Sequence, residues 1–169
     1  GPFLETVRRS LEEAGVRLLR QIAGAAPNCP REDVSRMAEA LGATGPEVAV
    51  SFGGGSTIDA AKAACVLHAL GGALDPYFGT GLVTQALGAS GKGLKPHVAI
   101  QTAASSGAHL TKYSNITDLS TGQKKLIVDN AIVPARAVFD YSVTAGAPPS
   151  LTLDGGLDGI AHCLEVLYD

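Results

Sequence analysis

The sequence predicts an α/β domain built on a parallel β-sheet, and three observations support that prediction. Helical and strand-like patterns alternate through the first hundred of the 169 residues, as they do in layered α/β domains. The apolar residues, 46% of the chain, are mainly aliphatic, since aromatics make up only 5% and tryptophan is absent. An apolar run at residues 48–52, typical of a buried parallel strand, leads directly into three consecutive glycines.

The composition excludes several classes of protein. A net charge of −3 argues against a nucleic-acid or anionic-membrane surface, because both require basic patches. No apolar run approaches the ~20 residues of a membrane span, and no signal peptide opens the chain. The three cysteines, Cys29, Cys65 and Cys163, are too widely spaced for a disulfide framework or a metal-binding pair. We therefore expect a reduced, cytoplasmic protein.

Periodicity assigns the elements of the first seventy residues. Apolar residues spaced by three or four predict a helix over residues 3–14 and a second one over residues 33–41. Between them, an imperfect alternation at residues 16–22 predicts a strand. The buried strand at 48–52 is followed by a helix from about residue 57 to residue 70.

The remainder of the chain is less regular. Residues 72–95 are rich in glycine and show little periodicity. Short apolar segments predict four strands, at residues 97–102, 113–117, 126–128 and 137–139. A final helix is predicted over residues 151–169, and the chain has no internal repeat.

The glycine loop after the strand at 48–52 predicts an anion site. It consists of Gly53, Gly54, Gly55 and Ser56. Glycines let the backbone approach a bulky anion, and the free N–H groups of the next helix favour a phosphate. Ser56 is the predicted N-cap, with Asp59 as its capping-box partner. The G-x-G-x-x-G and P-loop patterns are absent, and a tight turn without a ligand is the alternative.

The terminal helix carries a candidate metal site. Asp154, Asp158 and His162 recur at four-residue intervals and so share one face of the helix. A carboxylate and an imidazole one turn apart can reach the same divalent ion. The neighbouring Gly155 and Gly156 suggest close packing against another element. The alternative is an exposed polar stripe in which His162 hydrogen-bonds to Asp158.

Several motifs, in the same order, resemble those of the iron-containing (group III) alcohol dehydrogenases. The segment from Gly53 to Lys62 resembles the signature GGGS-x-x-D-x-x-K, and the segment from Gln101 to His109 resembles P-T-T-A-G-T-G-S-E. Residues 157–162 resemble the metal-ligand motif T-G-x-D-A-x-x-H-A. Shorter likenesses occur at residues 116–118, 122–124, 134 and 139–140.

The resemblance implies a fold, an activity and a set of ligands. The fold would be dehydroquinate-synthase-like, with an α/β nucleotide-binding domain over residues 1–149 and the first helix of an all-helical metal domain over residues 150–169. The activity would be hydride transfer between NAD or NADP and a small alcohol or aldehyde. A divalent metal, Fe²⁺ in the first place and Zn²⁺ as the alternative, would polarise the substrate oxygen. Relatives of this kind are commonly homo-oligomers.

The resemblance also assigns site residues, each at a matching position of a motif. The cofactor residues are Gly53, Gly54, Gly55, Ser56 and Asp59 in the glycine-loop signature, Thr102 and Ser106 beside the nicotinamide, and Lys124 toward a ribose. Asp158 and His162 would bind the metal. No residue beyond these metal ligands is assigned a catalytic role.

Departures from the family pattern leave alternatives open. The family begins with a strand before the first helix, and its metal site uses two further histidines downstream, so we expect a partial chain that is inactive alone. Gln101, Ala103 and His109 also replace family residues. Two enzyme alternatives are a metal-free relative of the maleylacetate reductase type and a zinc-dependent polyol dehydrogenase. A nucleotide-binding module without catalysis is the third alternative.

Overall fold

Three parallel strands form the first sheet, in the order β1–β3–β6. The computed structural model describes residues 1–105, 107–138 and 140–168. Strand β1 is Ala49–Gly53, β3 is His97–Gln101 and β6 is Arg136–Val138. Ala49 pairs with His97 and Gly53 with Gln101, so β1 and β3 end at the same edge of the sheet. This confirms the parallel sheet that the sequence predicts.

A second sheet has the order β2–β5–β4 and is mixed rather than parallel. Its strands are β2 (Gly79–Thr80), β4 (Tyr113–Asp118) and β5 (Gln123–Val128). Strands β4 and β5 form an antiparallel hairpin, whereas β2 runs parallel to β5. Gly122, at a φ of +68°, provides the left-handed residue that the tight turn between them requires.

The described part of the chain contains five α-helices beside the sheets. They are α1 (Pro2–Glu13), α2 (Arg31–Thr44), α3 (Gly55–Leu70), α4 (Leu82–Ser90) and α5 (Pro149–Tyr168). Short 3₁₀ turns lie at Asp75–Tyr77, Asn130–Ile132 and Tyr141–Val143. Within the described ranges, no helix combines the length and the apolar character needed to cross a bilayer.

Helix α3 lies at the centre of the core. Every residue from Ile58 to Val66 is buried, which matches a helix that is apolar on nearly all sides. Val34 of α2, Ile116 of β4 and Ile127 of β5 pack in the same cluster. The core thus joins α3 to the second sheet on one side. On the other side, Ile58 packs with Ala99 of β3 in the first sheet and so links α3 to the region of the glycine loop.

Two sequence predictions fail in this part of the chain. Residues 16–22, predicted as a strand, form none in the described structure, and Val16, Leu18 and Leu19 are exposed. A local alternation does not make a strand unless a neighbour satisfies its backbone groups. Helix α4 was not predicted, because it lies in the glycine-rich stretch and depends on a distant contact. The Asp129 carboxylate accepts hydrogen bonds from both the N–H and the hydroxyl of Thr84.

The two terminal helices are much less buried than α3. Helix α1 has no buried residue, and Gly155 is the only buried one among the described residues of α5. The predicted helix over 151–169 is confirmed up to Tyr168, while Asp169 lies outside the described residues. The predicted strand at 137–139 is confirmed at its first two residues, and Phe139 lies outside the described residues.

Candidate nucleotide and metal site

The glycine loop and the loop after β3 lie side by side at the carboxyl edge of the first sheet. Strand β1 ends at Gly53, and the N–H of Thr102 donates to the Gly53 carbonyl over 3.0 Å. Open α/β sheets bind their ligands in the crevice beyond the carboxyl ends of the strands. The structure therefore brings together two of the segments that the sequence assigns to a cofactor.

Helix α3 begins earlier than the sequence predicts. Gly54 is the N-cap, because its carbonyl accepts the N–H groups of Thr57 and Ile58 over 3.1 and 3.2 Å. The predicted cap at Ser56 is therefore wrong, and Ser56 lies inside the first helical turn. Among the residues that the structure describes, no side chain caps this terminus. Its first N–H groups and the positive end of the helix dipole are left for a ligand.

The three glycines of the loop differ in the space around them. A Cβ on Gly53 would lie 2.7 Å from the Thr57 Cβ, so close packing requires glycine there. A Cβ on Gly54 or Gly55 would lie 3.9 Å from the nearest neighbour, the Cβ of Ala103 or of Ala108. Internal packing therefore does not explain why Gly54 and Gly55 lack side chains. A group that approaches this backbone from outside would explain it.

Asp59 and Lys62 form a buried pair inside the protein. The Lys62 ammonium donates to the carbonyls of Thr111 and Tyr113 over 2.9 and 2.7 Å and lies 3.6 Å from the Asp59 carboxylate. That carboxylate accepts the N–H of Asn115 over 3.0 Å. Burial raises the pKa of Asp59 and lowers the pKa of Lys62. The structure places Asp59, predicted as a cofactor residue, where it fastens α3 to β4.

Gln101 organises the loop that follows β3. Its side-chain nitrogen donates to the Ala103 carbonyl over 2.8 Å and to the Ser105 hydroxyl over 3.2 Å. Its side-chain oxygen lies 2.8 Å from Nδ1 of His109. Ser106, predicted to lie beside a nicotinamide, is outside the described residues.

Lys124 lies on the second sheet, not on the sheet that ends in the glycine loop. It is exposed on β5, opposite Thr117 of β4, and so belongs to the second sheet. As far as the structure is described, Lys124 makes no hydrogen bond or ion pair with the residues of the glycine loop. Its predicted contact with a ribose stays a prediction.

Asp158 and His162 lie one turn apart on α5 with their side chains about half exposed. Nδ1 of His162 donates to the Asp158 carbonyl over 2.9 Å and lies 3.5 Å from the Asp158 carboxylate. Because a carbonyl can only accept, the proton is on Nδ1 and the lone pair of the neutral ring is on Nε2. Metal-binding histidines are commonly oriented in this way. Among the described residues, no group of three or more potential metal ligands occurs.

Helix α5 touches the loop after β3 through Gly155. A Cβ on Gly155 would overlap the Ala104 carbonyl oxygen and lie 2.7 Å from the carbonyl carbon. The close packing that the sequence suggests is therefore confirmed at Gly155, whereas a Cβ on Gly156 would meet nothing within 4 Å. The helix that carries Asp158 and His162 thus rests directly on the segment beside the glycine loop.

Sequence reasoning did not foresee two buried polar pairs near this site. One is Gln101 with His109, and the other is Ser51 with His97, whose Oγ and Nε2 are 2.8 Å apart. Burial, with a smaller contribution from the Lys62 charge, lowers the pKa of His97 to about 4. A polar residue inside an apolar strand pattern was the available signal for Ser51 and His97, but their partnership depends on strand register.

The arrangement corresponds to the α/β domain of dehydroquinate-synthase-like dehydrogenases, because solved structures of that class superpose on nearly the whole chain. The chain belongs to the iron-containing alcohol dehydrogenase family, whose family model matches residues 1–141. The fold class and the resemblance predicted from the sequence are both confirmed.

Three relatives illustrate the likeness. Alcohol dehydrogenase 4 of Saccharomyces cerevisiae (strain YJM789) is 36% identical over 159 residues, which cover 94% of this chain and 40% of the relative. A solved 1,3-propanediol oxidoreductase superposes with a TM-score of 0.85 at 25% identity, over 95% of this chain and 40% of the other. Sulfoacetaldehyde reductase from Bifidobacterium kashiwanohense, solved in complex with NAD⁺, gives a TM-score of 0.76 at 26% identity, over 92% and 40%. The chain therefore spans about 40% of the length of these relatives.

Proposed function

We propose that the complete protein is a metal-dependent alcohol dehydrogenase or aldehyde reductase, and that this chain supplies its nucleotide-binding part. It would transfer a hydride between NAD(P) and a small alcohol or carbonyl substrate. One observation carries the proposal: Gly54 and Gly55 leave a space at the N-terminus of α3 that the fold itself does not need. The family membership and the relative solved with NAD⁺ support the same conclusion.

The glycine loop would hold the cofactor diphosphate. The N–H groups at the start of α3, which no described side chain caps, would donate to its oxygens, and the helix dipole would favour its negative charge. Gly54 and Gly55 would allow the backbone to approach, and Ser56 in the first turn would add a hydroxyl. Asp59 would act indirectly, since its carboxylate is bound to Asn115 within the protein.

The loop after β3 would form the nicotinamide side of the site. Thr102 is tied to Gly53 by its N–H, so it follows the glycine loop closely. Ser106 stays a predicted nicotinamide residue on the strength of its motif alone. Lys124 would reach a ribose. The nicotinamide supplies the hydride chemistry when it is bound, and these residues would orient it. NAD-preferring members of the family carry an acidic residue at about the place of Ala23, so the site would admit NADP as well as NAD.

Asp158 and His162 fit a divalent metal as two of its ligands. The ring of His162 is held by its Nδ1 proton, which leaves Nε2 for the metal, and the Asp158 carboxylate is on the same face. A carboxylate with an imidazole suits both Fe²⁺ and Zn²⁺. Such a metal polarises the substrate oxygen when it is bound. In this proposal residues 150–169 open the helical metal domain, and the complete protein is a cytoplasmic homo-oligomer.

The glycine loop provides the direct test. Gly54→Ala should weaken binding of NADH and NADPH about tenfold or more. The added methyl group would collide with the bound diphosphate, and overpacking of this kind costs ~1–3 kcal/mol. The fold should tolerate the change, since the new Cβ has room in the protein. Cofactor binding to the complete protein can be titrated by NADH and NADPH fluorescence, with urea unfolding as the measure of stability.

Gly42→Ala is the matched control, because Gly42 is exposed on α2 and a Cβ there meets nothing within 4 Å. It should leave both affinities unchanged. Equal affinities for the Gly54→Ala protein and the unmodified protein would contradict the proposal and support a purely structural turn.

A nucleotide-binding module without catalysis is the second candidate. It is favoured by the replacements at Gln101, Ala103 and His109 and by the assignment of two metal ligands, Asp158 and His162, where the family site uses four. Tight NADH binding without turnover of any alcohol or aldehyde, with Fe²⁺ or Zn²⁺ supplied to the complete protein, would support it. Turnover without metal would instead support the metal-free enzyme alternative.

A further inference from the structure

Gln101 and His109 flank the loop after β3 and are joined beneath it by a buried hydrogen bond. Only 7% of Gln101 and 4% of His109 is exposed. Two polar side chains at this depth are stable only when they satisfy each other or the backbone. The pair therefore fixes the conformation of residues 102–105 from inside the protein.

The orientation of this pair follows from the chemistry of its partners. The Ala103 carbonyl can only accept, so the group of Gln101 that faces it over 2.8 Å is the amide nitrogen. The side-chain oxygen of Gln101 is then the atom 2.8 Å from His109. Because an amide oxygen can only accept, Nδ1 of His109 carries the proton and donates it. These two contacts fix the orientation of the Gln101 amide and place a proton on Nδ1 of His109.

The loop that this pair fixes touches both parts of the proposed site. The N–H of Thr102 is bound to Gly53, and Ala103 is the nearest neighbour of Gly54. The Ala104 carbonyl lies directly under Gly155 of α5, with no room for a single methyl group. A displacement of the loop would therefore move the side of the site between the glycine loop and α5.

We propose that Gln101 and His109 are positioning residues, which hold the 102–105 loop in the place that aligns the nicotinamide end of the cofactor. This inference rests on the function proposed above, which places the nicotinamide beside the 102–105 loop. Neither side chain touches the cofactor in this arrangement. Both act through the loop, whereas the diphosphate is held separately by α3.

The two ends of the cofactor can be tested separately. ADP-ribose carries the diphosphate and lacks the nicotinamide. His109→Leu removes the donor, and it should weaken NADH binding to the complete protein about tenfold while ADP-ribose binding stays within about twofold. His109→Asn restores an N–H donor near the position of Nδ1 and should return NADH affinity to within about threefold of the original. Isothermal calorimetry measures all of these affinities.

Gln101→Met provides the second variant, because it keeps the volume of Gln101 and removes its hydrogen bonds. It should show the same split between NADH and ADP-ribose, so the test stands if His109→Leu does not fold. The double variant His109→Leu/Gln101→Met should lose less NADH affinity than the sum of the two single losses, since both single variants break the same bond between Gln101 and His109.

The outcomes separate this inference from the proposed function. If the unmodified protein binds neither NADH nor ADP-ribose, the proposed function fails and takes this inference with it. If the unmodified protein binds both, three results would overturn the inference alone. They are unchanged NADH binding in the variants, equal weakening of both ligands, and failure of His109→Asn to restore NADH binding.

Discussion

Helices α3 and α5 each carry an acidic and a basic side chain within one turn, and the two pairs have opposite surroundings. On α3 the side chains of Lys62 and Asp59 are 0% and 11% exposed, whereas on α5 those of His162 and Asp158 are 57% and 43% exposed. The side chains of the α3 pair hydrogen-bond to backbone groups of the protein itself. The α5 pair leaves a carboxylate and a ring nitrogen partly exposed to solvent. Similar spacing in the sequence therefore does not define a role, and burial decides it.

The packing of the two helices explains the difference. Helix α3 lies between α2 and the strands, so even its charged residues are enclosed. Helix α5 packs closely against the described domain at Gly155, its one buried residue among those described, and exposes Leu153, Leu157 and Ile160. A buried charged group such as Lys62 needs an oppositely charged or hydrogen-bonding partner, because burial without one is costly. An exposed group on α5 has no such requirement, because water solvates it.

The largest expected effect comes from breaking the buried pair. Lys62→Met would leave the Asp59 carboxylate without its cation and two backbone carbonyls without their donor. Removing one partner of a buried ion pair costs ~3–5 kcal/mol of unfolding free energy. Urea unfolding followed by circular dichroism would measure the loss.

Asp158→Asn is the corresponding change on α5. It should alter the unfolding free energy by less than about 1 kcal/mol, because exposed pairs contribute little. Similar losses in the two variants would show that burial does not separate the two pairs.

A second prediction sharpens the contrast through the pH dependence of stability. The pKa of His97 in the folded protein is about 4, below the ordinary value of 6.5. Its contribution is complete above that ordinary value and is lost as the pH falls from 6.5 toward 4, because the unfolded chain takes up a proton that the folded chain does not. The loss is about 3 kcal/mol, at ~1.4 kcal/mol per pKa unit.

His97→Gln isolates this contribution. Its amide can still hydrogen-bond to Ser51, but it does not titrate. As the pH is lowered from 7.5 to 4, the unfolding free energy should therefore decrease less steeply for the variant than for the unmodified protein. Parallel curves for the two proteins would show that His97 is not the group responsible.

The third prediction concerns the contact that joins α5 to the rest of the domain. Gly155→Ala would force α5 away from the Ala104 carbonyl and should cost ~1–3 kcal/mol, as overpacking usually does. Gly156→Ala meets no atom within 4 Å and should raise stability by up to ~1 kcal/mol through its higher helix propensity. Thermal unfolding and amide hydrogen exchange in α5 would compare them, and the same sign for both changes would contradict the contact.

The sequence predicts the region around β1 and α3 well, because local signals agree there. An apolar strand, a run of glycines and an apolar helix leave few alternative structures. The adjacency of the glycine loop and Thr102 also follows from the sequence, since parallel strands end at one edge. The sequence predicts the N-cap at Ser56, whereas the structure has it at Gly54. Consecutive small residues can each begin a helix, and only the hydrogen bonds of Thr57 and Ile58 show which of them does.

The remaining features depend on contacts between distant residues. The alternation at residues 16–22 was insufficient because a strand also needs a partner. Helix α4 depends on the contact from Asp129 to Thr84, which lies 45 residues away in the chain. The bond between Gln101 and His109 depends on how a loop closes in three dimensions, and no local pattern indicates it.

The contact at Gly155 has a consequence for how this protein can change over evolution. In most of the interior, a substitution is absorbed when neighbouring side chains rotate into new conformers. Between α5 and Ala104, backbone meets backbone, and no rotatable group lies between them. Substitutions are therefore expected to accumulate in side chains around this contact, while Gly155 itself is inherited unchanged.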